Sequence, residues 1–267
     1  MINSELKKLE EKLKTTYIKD DKLNLINFLN LPSKRLRPKV IFLILKMLNL
    51  PILQEHIDLA YAVEVLHGAT LIHDDIIDDA TLRRGETTTY KKFGSKPAVL
   101  GGDYLLSIAL LELSKLNNPK IIEIFSKNIQ KMVESETNQY FKRGYVPTFD
   151  EYLSKNINKT ALLFLSGVQS ALLISNYNEH NKELENFTLS FGLAFQILND
   201  LKSTEDKENK IYTIKDILNK DNNLIDCDNI IKEFLNELIK KTNRNLDFVD
   251  NEYKVELTNI LENLKGA

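Results

Sequence analysis

From His56 to Ile77 leucine, isoleucine and alanine recur at helical spacing, and the run ends in three aspartates, Asp74, Asp75 and Asp78. A stretch this long and periodic commits its part of the chain to one central helix, against which other helices must bury their apolar faces. Side chains at i and i+4 project from nearly one face, with i+1 on the flank, so the three carboxylates can converge at one helix end. Clustered carboxylates repel and stay ionised together only with cations among them. Mg²⁺ suits that role, because it binds through a few carboxylates, keeps several waters and shares substrate phosphate oxygens. Just beyond the aspartates come Arg83 and Arg84, then Gly85. A guanidinium reads phosphate bidentately, as a planar fork of donors. Carboxylates followed by paired arginines therefore spell a site for a magnesium diphosphate. The plain alternative is a solvated acidic helix end trimmed by surface ion pairs, since a bare DDxxD is a short and common pattern. The flanks LIHDD and LRRG weigh against it.

Composition narrows the class. Only 9 glycines and 6 prolines stand among 267 residues, and most prolines lie outside the periodic segments, which favours long helices over turn-rich β-structure. The length suffices for a substantial core, and residues 1–267 are expected to form one domain. An apolar fraction of 43% with 28% charged residues is ordinary for a soluble globular protein. A formal net charge of −2 argues against a general nucleic-acid or anionic-membrane surface. The one cysteine, Cys227, excludes an internal disulfide and suggests a reducing compartment. With one cysteine and four histidines, a zinc site is not expected. The segment MINSELKKLEEKLKTT lacks the apolar centre of a signal peptide. No apolar run approaches the roughly 18 residues that span a bilayer, so the chain reads as cytoplasmic, with no transmembrane segment and no nucleic-acid partner.

Leu6 to Leu13 and Leu23 to Leu31 read as an opening amphipathic helix and a short second one. In LPSKRLRPKV, Lys34, Arg35, Arg37 and Lys39 precede the apolar run IFLILKML. Cations at a helix start oppose the helix dipole unless an anion sits there with them. His67 lies two turns before Asp74 on the same face, and His73 reads as structural. Thr87 to Gly102 has loop composition, and GGDYLLSIALLEL then opens a helix in which Asp103 caps or packs. The helix Pro119 to Tyr140 contains VESETNQ, with Glu136 and Gln139 at i, i+3 spacing. Asp150 to Ser170 carries Tyr152 and the pair Lys159–Thr160 before ALLFLSG. FGLAFQILNDLKSTEDKENK follows, and two amphipathic helices span roughly Asn229–Lys241 and Phe248–Leu264.

In order and spacing, about Lys34 to Asp216 resembles the trans-prenyltransferases, the isoprenyl diphosphate synthases. HDDIIDD with LRRG is similar to their first aspartate-rich motif. SKRLRP is similar to their G-G-K-R-x-R-P segment, with Pro32 and Ser33 in place of the glycines, and EVLH to ELIH. VESETNQ is similar to G-E-x-x-Q, and Lys159–Thr160 to the family's K-T. The second motif, F-Q-x-x-D-D-x-x-D, is where the chain departs. Here it reads Phe195, Gln196, Ile197, Leu198, Asn199, Asp200, Leu201, Lys202, Ser203, so one of three carboxylates remains. Asn199, Asp200 and Ser203 also echo the N-D-x-x-S-x-x-x-E motif of terpene cyclases, but Lys207 occupies its glutamate position, flanked by Asp206 and Glu208. Fewer anionic ligands should weaken the metal that this helix holds; Lys202, Lys207 and Lys210 would compensate by meeting diphosphate oxygens.

The resemblance implies an all-α, single-domain bundle whose two metal helices face each other across a deep apolar cavity. It implies a Mg²⁺-dependent transferase that ionises an allylic diphosphate and joins it to isopentenyl diphosphate. Asp74, Asp75 and Asp78, with Asn199 and Asp200, would hold two to three Mg²⁺. Arg83 and Lys159 would grip the allylic diphosphate, with Thr160 and Gln196 beside it. Lys34, Arg37, His67 and Arg84 would take the isopentenyl diphosphate. Chain length would depend on the cavity floor at Leu66, Ala69 and Thr70, with Ile108, Leu110 and Phe164 as further plugs. A small Ala69, where an aromatic would stop growth early, implies a geranylgeranyl (C20) or longer product. A homodimer is implied, with a heteromer open. Two alternatives stand beside this: a weakly active or regulatory subunit of a heteromeric synthase, and a terpene cyclase acting on one diphosphate. The cyclase gives no reason for Lys34, Arg37 and His67.

Overall fold

The computed structural model describes residues 2–202, 212, 214–222 and 227–266. It is all-helical as expected, apart from one short hairpin. Its contacts gather into two compact units: Met1–Glu123 with Ser170–Ser175, and Ile124–Gln169 with Asn176–Ala267.

In the first unit everything packs on α4, Gln54–Ile77, which runs about 36 Å at the α-helical rise. Its side chains from Leu59 to Leu66 are all buried, so the periodic run is a core helix rather than a half-exposed one. Around it lie α1 (Asn3–Lys14), α2 (Leu25–Asn30), α3 (Leu36–Met47), α5 (Thr89–Phe93) and α6 (Ser95–Lys115). Lys12 of α1 ties two of these partners, pairing with Asp58 of α4 and Glu112 of α6, each at 2.7 Å. The N-terminus of α4 is fixed by His56, whose Nδ1 accepts from the Leu53 N–H at 2.9 Å. With that nitrogen an acceptor, Nε2 carries the proton and donates to the Ala171 carbonyl at 3.2 Å.

The segment expected as a loop from Thr87 to Gly102 is mostly helix. Thr88 caps α5, its Oγ1 accepting from the Lys91 N–H at 3.1 Å, and Gly94 with φ 88° breaks the chain once before α6 begins at Ser95. Gly101 and Gly102 sit inside α6, because they let neighbours come close. Gly101 lies against Leu23 and Leu25, and a Cβ on Gly102 would overlap the His73 ring. Glycine here serves packing, which composition cannot distinguish from a turn.

The second unit is built on α10, Asn181–Lys202. Contacts to it come from α8 (Phe149–Asn156), a π-turn at Ile157–Ala161, α11 (Ile214–Asn222), α12 (Cys227–Arg244) and α13 (Glu252–Gly266). The π-turn leads into α9, Leu162–Ile174; most of α7, Pro119–Phe141, also belongs to this unit. Its core holds an aromatic cluster, with Phe164 edge-on to Phe191 and Phe195 at 5.6 and 6.0 Å between ring centroids.

Among the described residues, two helical runs are long and apolar enough to cross a membrane by length and composition alone, although no unbroken apolar run of that length stands in the sequence. They are Ser95–Lys115 and Phe149–Ile174, with mean hydropathies of 1.3 and 1.4. The first carries Asp103 and Glu112 along its length, which is why no unbroken run appears in the sequence. The second is 67% buried, as a core helix is.

Candidate functional site

The aspartates stand at the C-terminal end of α4. Asp78 is its last cap, its N–H donating to the Asp74 carbonyl at 2.8 Å. Next, Asp79 turns the chain with φ 51°, a left-handed position that aspartate tolerates. Three carboxylates at a helix C-terminus sit on the negative end of the dipole. That placement is unfavourable in the bare protein and calls for cations.

One cation comes from a hairpin. Strands β1 (Leu82–Arg83) and β2 (Glu86–Thr87) pair antiparallel, with Arg83 opposite Glu86. The two residues between them, Arg84 and Gly85, both have positive φ, 54° and 81°, as the two-residue turns that match strand twist require. Both arginines act on His67, and they differ in their partners. Arg83 folds back on Asp75, its Nε and Nη2 donating to Oδ1 at 2.9 and 2.5 Å, while Arg84 stays exposed at the tip. Burial pushes the Asp75 carboxyl up from its ordinary value, against the pull of Arg83.

The expected three-carboxylate cluster is not preformed. Among the described residues no group of three His, Cys, Asp or Glu side chains is gathered to hold a metal ion. Asp75, at i+1, is buried against Arg83, while Asp74 and Asp78 are half-buried. Its Oδ2 is nevertheless buried with no hydrogen-bond partner, and all the donors here are hard oxygens. Both features fit Mg²⁺.

The basic segment lies at the start of α3. Arg35 precedes that helix in a left-handed conformation, φ 46°. Lys34 is exposed and Arg37 half-buried. Protein packed around Arg37 lowers its guanidinium to about 10; Glu64 opposes that shift and Arg84 adds to it. His67 is held well below its ordinary value, by burial first and then by Arg37, Arg84, Arg83 and Arg35. It is thus a neutral hydrogen-bonding group among guanidiniums. Leu66 and Ala69 are buried, and Thr70 donates to its own helix at the His67 carbonyl, 2.9 Å. Leu110 is 37% exposed on α6.

In the second unit Lys159 and Thr160 lie on the π-turn, a local widening found mostly at functional sites. A hydrogen-bonded chain runs from there. Thr160 Oγ1 donates to Gln196 Oε1 at 2.8 Å, Gln196 Nε2 donates to Asp200 Oδ1 at 2.7 Å, and Tyr152 OH donates to Asp200 Oδ2 at 2.8 Å. Burial pushes the Asp200 carboxyl up despite those bonds. Lys159 pairs with Glu136 at 2.9 Å, whereas Gln139 faces a cavity of about 640 Å³ with Lys142, Arg143 and Lys155. Sequence reasoning assigned no role to Tyr152, Arg35 or Glu64; only the i, i+4 spacing of Gln196 and Asp200 signalled any of this network. Ser203, Asp206, Lys207, Glu208 and Lys210 lie outside the described residues, as does the Lys202 side chain.

Three comparisons bear on this geometry. The chain is 35% identical over 175 residues to a prenyl transferase of Cyanidium caldarium, covering 63% of this chain and 54% of that one. It is 37% identical over 175 residues to a decaprenyl-diphosphate synthase of Dictyostelium discoideum, covering 65% and 38%. The chain therefore matches about half or less of these relatives' lengths. Its fold is that of a polyprenyl synthase of Caulobacter crescentus solved with calcium and isoprenyl diphosphate, with a TM-score of 0.86, 20% identity and coverage of 100% and 95%. The family model for polyprenyl synthetase matches residues 22–254. With that pattern met along most of its length, this chain belongs to the polyprenyl synthetase family.

Proposed function

We propose that the chain is a single-domain, Mg²⁺-dependent trans-prenyltransferase that joins isopentenyl diphosphate to an allylic diphosphate. The supporting observation is the pair of anion-seeking clusters along α4. The aspartates with Arg83 stand at its end, and His67, two turns or about 10 Å earlier along the axis, is kept neutral by burial and by the cations Arg37, Arg84, Arg83 and Arg35. Two diphosphates need two such places; one substrate needs only one.

In this reading Asp74, Asp75 and Asp78 hold Mg²⁺, and Asn199 and Asp200 supply the ligands of the second motif. Bound there, Mg²⁺ neutralises charge on the leaving diphosphate; the neighbour solved with calcium and isoprenyl diphosphate supports a divalent ion. Arg83 and Lys159 exchange their carboxylate partners for allylic diphosphate oxygens, and Thr160 and Gln196 orient beside it. Lys34, Arg37, Arg84 and His67 hold the isopentenyl diphosphate. The allylic carbon–oxygen bond breaks, the isopentenyl double bond attacks the cation, and a proton leaves the adduct. No side chain forms a covalent intermediate; the protein supplies preorganised charge and exclusion of water.

The small, buried Ala69 supports a product of twenty carbons or more. The exposed stripe Leu100, Tyr104 and Leu111 on α6 supports a homodimer, and the lone Cys227 a cytoplasmic setting. A subunit role is favoured by the eroded second motif, whose remaining carboxylate, Asp200, accepts hydrogen bonds at both oxygens.

The test is elongation by the purified chain, given isopentenyl diphosphate, Mg²⁺ and dimethylallyl, geranyl or farnesyl diphosphate. Products of twenty carbons or longer are expected, abolished by chelation. No elongation from any primer would contradict the proposal.

A further inference from the structure

We propose that Glu64 is a positioning residue for the isopentenyl-binding cations, acting through Arg35. This rests on the isopentenyl reading of Lys34, Arg37, Arg84 and His67. Glu64 is 6% exposed, in the middle of the buried face of α4. Its Oε2 receives Arg35 Nη1 at 3.0 Å, both side chains being nearly out of water. Arg35 Nη2 donates to the Leu29 carbonyl at 2.9 Å. Both terminal nitrogens of Arg35 are thus engaged by the protein, so Arg35 is a brace rather than a substrate ligand.

The brace acts where the backbone is least comfortable. Arg35 holds φ 46°, a left-handed conformation that non-glycine residues seldom adopt. Lys34 and Arg37 lie on either side of it, so the direction in which they enter α3 is set at this residue. Pro32 and Ser33 lead into this turn, so no glycine hinge stands ahead of Arg35. The ion pair with Glu64 is what the structure offers instead.

Glu64 also balances charge. Burial lowers the Arg37 and Arg84 guanidiniums from their ordinary values, and the Glu64 carboxylate opposes that shift at both. Three guanidiniums thereby share one carboxylate and keep an excess of positive charge for a diphosphate. Removing one partner of a buried pair strands the other, and a stranded Arg35 would release the loop.

Electrostatics alone and positioning make opposite forecasts, which makes the test sharp. Glu64→Gln keeps the shape and one acceptor but removes the charge. If Glu64 only diluted positive charge, E64Q would lower KM for isopentenyl diphosphate. Positioning requires KM for isopentenyl diphosphate to rise about tenfold, with kcat and the allylic KM within about twofold of wild type. R35Q should reproduce that split, and E64Q/R35Q should be no worse than either single variant. As a measure apart from turnover, inorganic diphosphate binding in chelator should weaken about tenfold in E64Q and R35Q. Thermal unfolding checks that each variant is folded; if E64Q is not, R35Q carries the comparison. An unchanged or lowered isopentenyl KM in a folded variant overturns the proposal, and so does an equal rise in both KM values. A wild-type chain that neither binds diphosphate nor consumes isopentenyl diphosphate would instead remove the functional reading, and this inference with it.

Discussion

His67 occupies α4 among the guanidiniums of Arg37, Arg84, Arg83 and Arg35, and burial with those charges holds its imidazole well below the ordinary value. Near neutral pH it therefore contributes an N–H and an acceptor without adding charge. The consequence for stability has a definite sign. Unfolded, the imidazole takes up a proton as pH falls through about 6.5; folded, it resists. Stability is fully present above that range and declines as pH falls, by up to about 1.4 kcal/mol per pH unit for each such group. His56, lowered by burial, adds in the same direction. Asp75 and Asp200, raised by burial, act oppositely, and a comparison of variants cancels them. Denaturant unfolding between pH 5.5 and 7.5 should show a shallower decline in H67N than in wild type; an identical slope would contradict a neutral His67. Spacing along one segment pointed to Asp74 with Arg83, and the structure sets Arg83 against the neighbouring Asp75; Arg37 and His67 were singled out through the resemblance. Arg35 with Glu64 and Tyr152 with Asp200 were not, because each partner arrives from a different element and only tertiary packing selects it.

Among the elements, α4 was expected from periodicity and α10 through the resemblance at its FQILND stretch, and each centres one compact unit. The helices α5 and α6 at Thr89–Lys115 were obscured by glycines that serve close packing. The π-turn left no sequence signal, since nothing in INKTA distinguishes five-residue spacing from four. Its shape is held by Gly192 of α10, where a Cβ would lie 2.6 Å from both Cα and Cβ of Ala161. Gly192→Ala must push the π-turn away from α10 and strain the bond between Thr160 and Gln196. A loss of about 1–3 kcal/mol in denaturant unfolding is expected, with turnover lowered more than affinity for isopentenyl diphosphate. Wild-type stability in G192A would mean the approach is not close. On α4 the corresponding change is Ala69→Phe. It should shorten the dominant product by at least one five-carbon unit, read by chromatography of the dephosphorylated alcohols, and unchanged length would move the floor elsewhere.

For the whole molecule, the all-helical class followed from sparse glycine and proline together with long apolar periods, and the solved polyprenyl synthase shares that fold. The face of α6 was less legible, because its leucines alternate between core and surface. Leu105, Ala109 and Leu113 are buried, while Leu100 and Leu111 are 66% and 57% exposed. If that stripe joins two copies, L100E/L111E should run as a monomer in light-scattering chromatography while wild type runs as a dimer; a monomeric wild type would refute it. The eroded second motif bears on the central claim, that this chain performs condensation by itself. The most direct measurement counts inorganic diphosphate released against isopentenyl diphosphate consumed, with purified chain, Mg²⁺ and one allylic primer. The account predicts one diphosphate released for each isopentenyl unit consumed. Release without isopentenyl consumption, as a cyclase would give, or neither, as a lone subunit would, contradicts it.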